Sequence, residues 1–195
     1  MMSERERMLR GEPYNTRDPM LLEAAHRARA LLASYAATPT TDAAQRRNIL
    51  AQLLGGVGEG VWIETPFFCD YGENVYVGAR SFVNVNCVFL DSAEIRIGEN
   101  ALIGPGVQLL TATHPLRADE RIVPPDDLGD GESPYRTFAA PIRIGDNVWL
   151  GAGTIVLPGV TVGDNVTIGA GSLVTSDIPA NVLAFGQPCR VQRAL

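Results

Sequence analysis

Cysteine and histidine are scarce in this 195-residue chain, and long apolar runs and basic tracts are absent. The three cysteines, Cys69, Cys87 and Cys189, are odd in number and form no CxxC pair. That removes a disulfide framework and a cysteine zinc site, leaving reduced, semi-buried thiols as the expectation. No apolar run approaches the roughly 18 residues of a membrane span, and the opening MMSERERMLR is too charged for a signal peptide. A cytoplasmic protein is expected. Sixteen basic against 22 acidic residues leave a net charge of −6, which argues against a nucleic-acid or membrane-surface role. Hydrophobic residues make up 46%, enough for a sizeable core, most simply in one domain with an appendage.

What is present is a period of six. Ile144, Leu150, Val156, Val162, Ile168 and Val174 recur at every sixth position. Helices space apolar residues by three and four and strands alternate them, so this interval means short strands joined by regular corners. A coiled coil or a sandwich fails on spacing. Glycine follows four of the six, which suits the backbone angles of a sharp corner. Val148, Thr154, Val160, Val166 and Ser172 supply a second, smaller inward position. The same register holds at Ile97, Ile103 and Leu109, with Ala101, Val107 and Thr113 in the smaller slot. An earlier run, Val77, Val83 and Phe89, is offset from Ile97 by eight, which predicts two bulged residues at a corner near Asp91 to Glu94.

The first 57 residues have a different rhythm. Asp18 and Pro19 read as an N-cap and first helical residue before an Ala-, Leu- and Arg-rich helix over Met20 to Ala37. A second helix is predicted from Asp42, capped by Thr41, to Leu54, with Gly55 and Gly56 as its stop. The pair is expected to cover the open end of the coil around Val61 to Phe68, because a solenoid needs its terminal core covered.

Between Leu109 and Ile144 the period disappears into a Pro-, Gly- and Asp-rich stretch. An excursion that interrupts a solenoid and then resumes in register is where function is expected. His114 lies where the coil breaks, before Pro115, which restricts its backbone. A packed loop residue and a functional imidazole are equally open readings at this point. His26 lies in a helix of Arg and Ala and reads as a solvated side chain.

At these positions the chain resembles the hexapeptide-repeat acyltransferases, specifically the maltose and galactoside O-acetyltransferases. The resemblance rests on the opening Met8-Leu9-Arg10-Gly11-Glu12-Pro13-Tyr14, on Cys69-Asp70-Tyr71-Gly72, and on Phe82 to Cys87. It continues through Thr111-Ala112-Thr113-His114-Pro115, Ile144 to Gly151, and Gly186 to Val191. It implies a mainly β fold, a left-handed parallel β-helix over 58–195, with an N-terminal α-helical segment over 1–57 and a protruding loop over 110–143. The hand is an exception to the right-handed rule for parallel crossovers. A homotrimer with active sites between neighbouring prisms is implied as well.

The implied activity is transfer of an acetyl group from acetyl-CoA to a sugar hydroxyl, with no metal. Such a hydroxyl needs a base as the bond forms, and the resemblance assigns that role to His114, its other ring nitrogen held by a carbonyl or carboxyl group. No Ser or Cys stands in a nucleophile motif, so direct attack is expected, and Cys69 and Cys87 read as buried thiols. By the same resemblance Asp18, Asp70, Asn84 and Asp91 line the acceptor pocket, and Asn84 also stabilises the tetrahedral intermediate. Asp18 serves equally well as a helix cap, Asn84 as a corner residue, Asp70 as a surface turn. For the donor, Trp149 is the implied wall of the pantetheine channel and Ala152 and Ala170 offer backbone groups. Thr175, Arg190 and Arg193 would meet the nucleotide, where guanidinium groups suit phosphates.

Two positions depart from the family pattern. The glutamate usual four or five residues before the proline that restarts the coil is here Thr137 or Arg136, with Glu132 nearby as a substitute in a longer loop. The lysine frequent after Thr175 is Ser176. Three other readings compete: transfer to a non-sugar alcohol or amine, a catalytically silent scaffold, and a β-helical carbonic anhydrase. The last needs three histidines on zinc, and the coil region has one.

Overall fold

The computed structural model describes residues 2–195. Residues 56–194 wind into a parallel β-helix with three faces, each strand hydrogen-bonded to its equivalent one coil away. The first face stacks Gly56–Val57, Val75–Val77, Ile95–Ile97, Ile142–Ile144 and Thr161–Val162. The second stacks Trp62–Ile63, Phe82–Val83, Leu102–Ile103, Trp149–Leu150, Thr167–Ile168 and Val182–Gly186, and Cys189–Ala194 folds back antiparallel on the last of these. The third stacks Phe67–Cys69, Cys87–Leu90, Gln108–Leu110, Ile155–Val156 and Leu173–Val174. The six-residue period is one face plus one corner. Its aliphatic residues form columns inside the prism, such as Val83, Ile103, Leu150 and Ile168, all essentially inaccessible to solvent.

The upstream coils are longer than the downstream ones. Val77 pairs with Ile97, twenty residues on, whereas Ile144 pairs with Val162, eighteen on. The two extra residues sit at the corner between the third and first faces, over Asp91 to Glu94 as predicted and again one coil earlier over Asp70 to Asn74. The long excursion, residues 111–141, leaves from this same corner. Buried side chains stitch the corner together. Asp91 accepts the amides of Tyr71 (2.9 Å) and Asn74 (3.3 Å), and Thr111 Oγ1 accepts the amide of Ala93 (2.9 Å) while donating to the Leu90 carbonyl (2.6 Å).

The corner glycines have a different reason from the expected one. Gly98, Gly145, Gly151, Gly163 and Gly169 are not in the left-handed region. They are needed because adjacent coils touch there: a Cβ on Gly163 would stand 2.6 Å from the Ala180 amide nitrogen, and one on Gly151 2.5 Å from that of Ala170. At the corner between the first and second faces the left-handed position is Gly60 and Arg80 on the first two coils and asparagine on the next four, a residue that tolerates that region better than most. Asn100, Asn147, Asn165 and Asn181 have φ of 54°, 57°, 57° and 61°. Their side chains form a ladder with steps of 3.0, 3.0 and 2.9 Å. Arg80 Nε donates to its first member.

Three helices precede the coil. Helix α1, Glu4–Leu9, is not predicted by apolar periodicity, although Ser3 and Glu6 form a capping box at its start. Helix α2 spans Pro19–Ala37 with Asp18 as its N-cap. Helix α3 spans Ala43–Leu53, and its cap is Asp42, which accepts the Gln45 amide, rather than Thr41. Ala28, Tyr35, Ile49, Leu50, Leu53 and Leu54 pack onto Ile63, Phe67 and Cys69, closing the end of the prism. Arg46 is buried there without a carboxylate partner among the described residues. Its guanidinium lies 4.0 Å from the Tyr35 ring centroid and donates to the carbonyls of Thr38 and Ile63, and Tyr35 Oη also donates to Ile63 (2.6 Å). No helix among the described residues is long and apolar enough to cross a membrane.

Candidate active site

The excursion begins as a short antiparallel stem, Ala112–Thr113 against Phe138–Ala139, and His114 is the first residue beyond it. Helix α4, Ala118–Arg121, and a single turn at Pro125–Asp127 follow. Arg121 folds under the His-Pro turn and donates to the carbonyls of Pro115 and Leu116, both at 3.1 Å. Its amide partner on the returning arm is Arg136, whose N–H donates to the Arg121 carbonyl at 2.8 Å. His114 is exposed and shares a cavity of about 230 Å³ with Arg121 and Tyr135.

His114 Nδ1 stands 2.9 Å from the Arg136 carbonyl oxygen. A carbonyl can only accept, so Nδ1 carries a proton, and in the neutral ring the lone pair is on Nε2. The second ring nitrogen is thus held by a carbonyl. Of the residues weighed for the missing glutamate, Thr137 is buried beneath the loop, where its backbone pairs with that of Tyr14. Glu132 turns back to accept the Gly129 amide (3.2 Å) and lines a neighbouring cavity of about 180 Å³ with Tyr14, Asn15 and Arg136. Tyr135 is the wall between the two cavities.

Asp70 stands on the same corner of the prism, half-buried, its carboxyl 3.7 Å from Arg29. Arg29 also donates to the carbonyls of Cys69 and Asp70 at 2.8 and 2.9 Å and so holds the turn. Burial raises the Asp70 pKa, with Arg29 opposing the rise. Asp18 is engaged as a helix cap, accepting the amides of Met20 (3.0 Å) and Leu21 (3.3 Å). Asp91, expected to line the pocket, is wholly buried, and both its oxygens are taken by backbone amides. It supports the wall from behind. Tyr14 is buried beside it, its side chain meeting Ser92, a contact that sequence spacing does not signal.

Burial pushes the Asp91 carboxyl up to about 6, the Tyr71 amide opposing and the Asp70 charge adding to the rise. The folded value lies above the unfolded one, about 3.9. Its contribution to stability is therefore complete below pH 4 and lost as pH rises to about 6. Asp91→Asn should gain about 2–3 kcal/mol relative to wild type between pH 4 and 7, at about 1.4 kcal/mol per pKa unit. Urea unfolding at half-unit pH steps measures this, and parallel curves would refute it.

The remaining predicted residues lie elsewhere. Asn84 is at the corner between the second and third faces, its Oδ1 accepting the Val85 amide (2.8 Å), and its NH₂ group has no partner among the described residues. Ala152 and Ala170 occupy the same corner on successive coils, where Gly171 donates to the Ala152 carbonyl (2.8 Å). Among the described residues, neither alanine amide has a partner within the chain. Trp149 projects from the second face, 51% exposed, beside Leu102 at 46%. Thr175 returns to the corner of His114, following the third-face strand Leu173–Val174. Arg190 and Arg193 are exposed on the final strand and form no ion pair among the described residues. The chain has no lysine, so every side-chain cation besides histidine is a guanidinium.

The residues that the resemblance names thus stand on two edges of one prism, His114, Asp70 and Thr175 on one and Asn84, Ala152 and Ala170 on the other. The third face lies between these two edges. The thiols of Cys69 and Cys87 are buried, and burial pushes both up, Cys87 to about 11, so neither supplies a thiolate.

Comparison with known proteins matches this geometry to a family. The maltose acetyltransferase hexapeptide capping motif matches residues 7–58, and the bacterial transferase hexapeptide motif (six repeats) matches residues 141–176. Nodulation protein L of Rhizobium meliloti (strain 1021) is 45% identical over 190 residues, covering 97% of this chain and 98% of its own. The crystal structure of a maltose O-acetyltransferase from Clostridium difficile 630 superposes with a TM-score of 0.91 at 41% identity, covering 100% and 98% of the two chains. A galactoside acetyltransferase in complex with coenzyme A gives 0.89 at 34% identity, covering 100% and 92%. The chain belongs to the maltose and galactoside O-acetyltransferase family of hexapeptide-repeat acetyltransferases.

Proposed function

We propose that this acetyltransferase moves an acetyl group from acetyl-CoA to a sugar hydroxyl by direct attack, with His114 as general base. The observation that carries the reading is the Nδ1–H to Arg136 carbonyl bond on a stem-anchored loop, which in the neutral ring places the lone pair on Nε2. The acceptor hydroxyl attacks the thioester carbonyl while Nε2 takes its proton. The tetrahedral intermediate then expels the coenzyme A sulfur, and the imidazolium returns the proton to it. The products are an acetyl ester and free thiol, with the imidazole restored.

The free Asn84 NH₂ suits the oxyanion. Trp149 and the free amides of Ala152 and Ala170 suit the pantetheine arm, and Thr175, Arg190 and Arg193 suit the phosphates. Since the two sets of residues stand on different edges, a complete site is formed where one edge of a chain meets the other edge of a second copy. Three copies close such a ring, and the apolar second face, with Leu102 and Trp149, is the surface to be buried. The acceptor meets Asp70 and, through its remaining oxygen, Asp18. We take residues 1–57 as the cap and 58–195 as the catalytic β-helix, working in the cytoplasm, where its three thiols stay reduced. No metal enters the reaction.

The test is thiol release from acetyl-CoA across a panel of mono- and disaccharides, with chloramphenicol and simple amines in parallel. Release stimulated by a sugar is the expected result. Stimulation only by chloramphenicol or amines would overturn the acceptor class. No stimulation together with no acetyl-CoA binding would make the protein a silent scaffold.

A further inference from the structure

We infer that Asn15 is a positioning residue for His114: its side chain ties the returning arm of the loop to the N-terminal segment and so fixes the Arg136 carbonyl that aims the imidazole. This rests on the His114 role proposed above.

The loop has no core of its own. From residue 114 to residue 136 no residue is buried, so packing does not hold the arm that carries Arg136. Such segments sit at the low-stability end of a fold. Within the loop the arm pairs with the outgoing strand, Arg136 N–H on the Arg121 carbonyl (2.8 Å) and Val123 N–H on the Pro134 carbonyl (3.0 Å), and beyond the stem this pair is tied to the body of the molecule through residues 14–17. Tyr14, itself buried, donates its amide to the Thr137 carbonyl. Asn15 Oδ1 accepts the Ser133 amide at 3.0 Å, and Arg17 donates to the Glu132 carbonyl at 3.3 Å.

Asn15 is the centre of this set. The same Oδ1 accepts the Arg17 amide at 3.0 Å, shaping its own turn, and the Asn15 amide is fixed by Glu4 of α1 at 2.6 Å. A continuous line of hydrogen bonds and backbone runs from α1 through Asn15 to Ser133, then along three residues to Arg136 and its carbonyl. If the carbonyl drifts, Nδ1 loses its acceptor, the two neutral tautomers mix, and the lone pair is no longer held on Nε2.

The chain's two histidines make this directly observable. In full-length protein labelled with ¹⁵N in its histidine rings, His114 of wild type should show one Nδ1–H tautomer, with exposed His26 on α2 as internal reference. Asn15→Ala should shift the His114 ring nitrogens towards averaged values, leave His26 unchanged, and lower kcat about 10- to 100-fold with the acetyl-CoA KM within twofold. Asn15→Asp keeps the accepting oxygen and should restore both the tautomer and most of the rate. Glu4→Ala removes the anchor from the far side and should reproduce the averaging, which keeps the test open if Asn15→Ala does not fold. Wild-type His114 shifts in both Asn15→Ala and Glu4→Ala, whatever their rates, would overturn the inference. Averaged shifts with an unchanged kcat would uphold the positioning and remove the general-base role instead.

Discussion

His114→Ala should lower kcat for acetyl transfer by about 10²–10⁴-fold, the usual contribution of a positioned general base, while acetyl-CoA still binds. The side chain is exposed and, among the described residues, makes a single hydrogen bond, to the Arg136 carbonyl, so its loss costs the fold little. The amides of Ala152 and Ala170, proposed to meet the donor, lie on another edge of the prism and do not depend on it. Steady-state rates and calorimetric titration of acetyl-CoA separate the two effects. A variant retaining more than a tenth of the wild-type kcat would end the assignment, since none of the buried thiols can take over. His114→Gln should be as inactive, because an amide keeps the hydrogen bond but takes no proton.

The largest loss of stability should come from Phe89→Ala, at about 3–5 kcal/mol. Phe89 is completely buried in the third-face column, between Cys69 and Leu109 on neighbouring coils. Its ring also meets Phe67 edge-to-face at a centroid separation of 5.2 Å. The prism interior is narrow and is fixed by backbone ladders on every side, so it cannot collapse into the void. A shift in the denaturant midpoint at unchanged slope measures the loss. A change under 1 kcal/mol would mean that the column rearranges after all.

The coil was legible because its inward positions obey one interval, and one interval suffices to reject helix and simple strand. The bulge near Asp91 was legible as an interruption of that interval. Its inward or outward sense is not legible, since a bulged corner has none that is fixed; the family resemblance alone points Asp91 to the pocket surface, and the structure buries it behind. The corner glycines are visible in the sequence, which suggests a conformational reason for them, whereas coil-to-coil contact demands them. The asparagine ladder repeats as Gly98-x-Asn100, Gly145-x-Asn147 and Gly163-x-Asn165 and could have been read from that spacing. In the site, His114 stood out through its break in the coil. Arg121, Tyr135 and Asn15 carry no periodic or motif signal, because their contacts join segments far apart in the chain.

The closed end of the prism decides one further matter. A stack of parallel strands resembles a growing fibril, and its terminal rung offers unpaired carbonyls to any passing chain. Here the Ile63 carbonyl is already occupied by the Tyr35 hydroxyl and the Arg46 guanidinium, which also lays its flat cation across the tyrosine ring. Two polar side chains at one rung therefore keep a self-templating architecture finite and let it remain a discrete molecule.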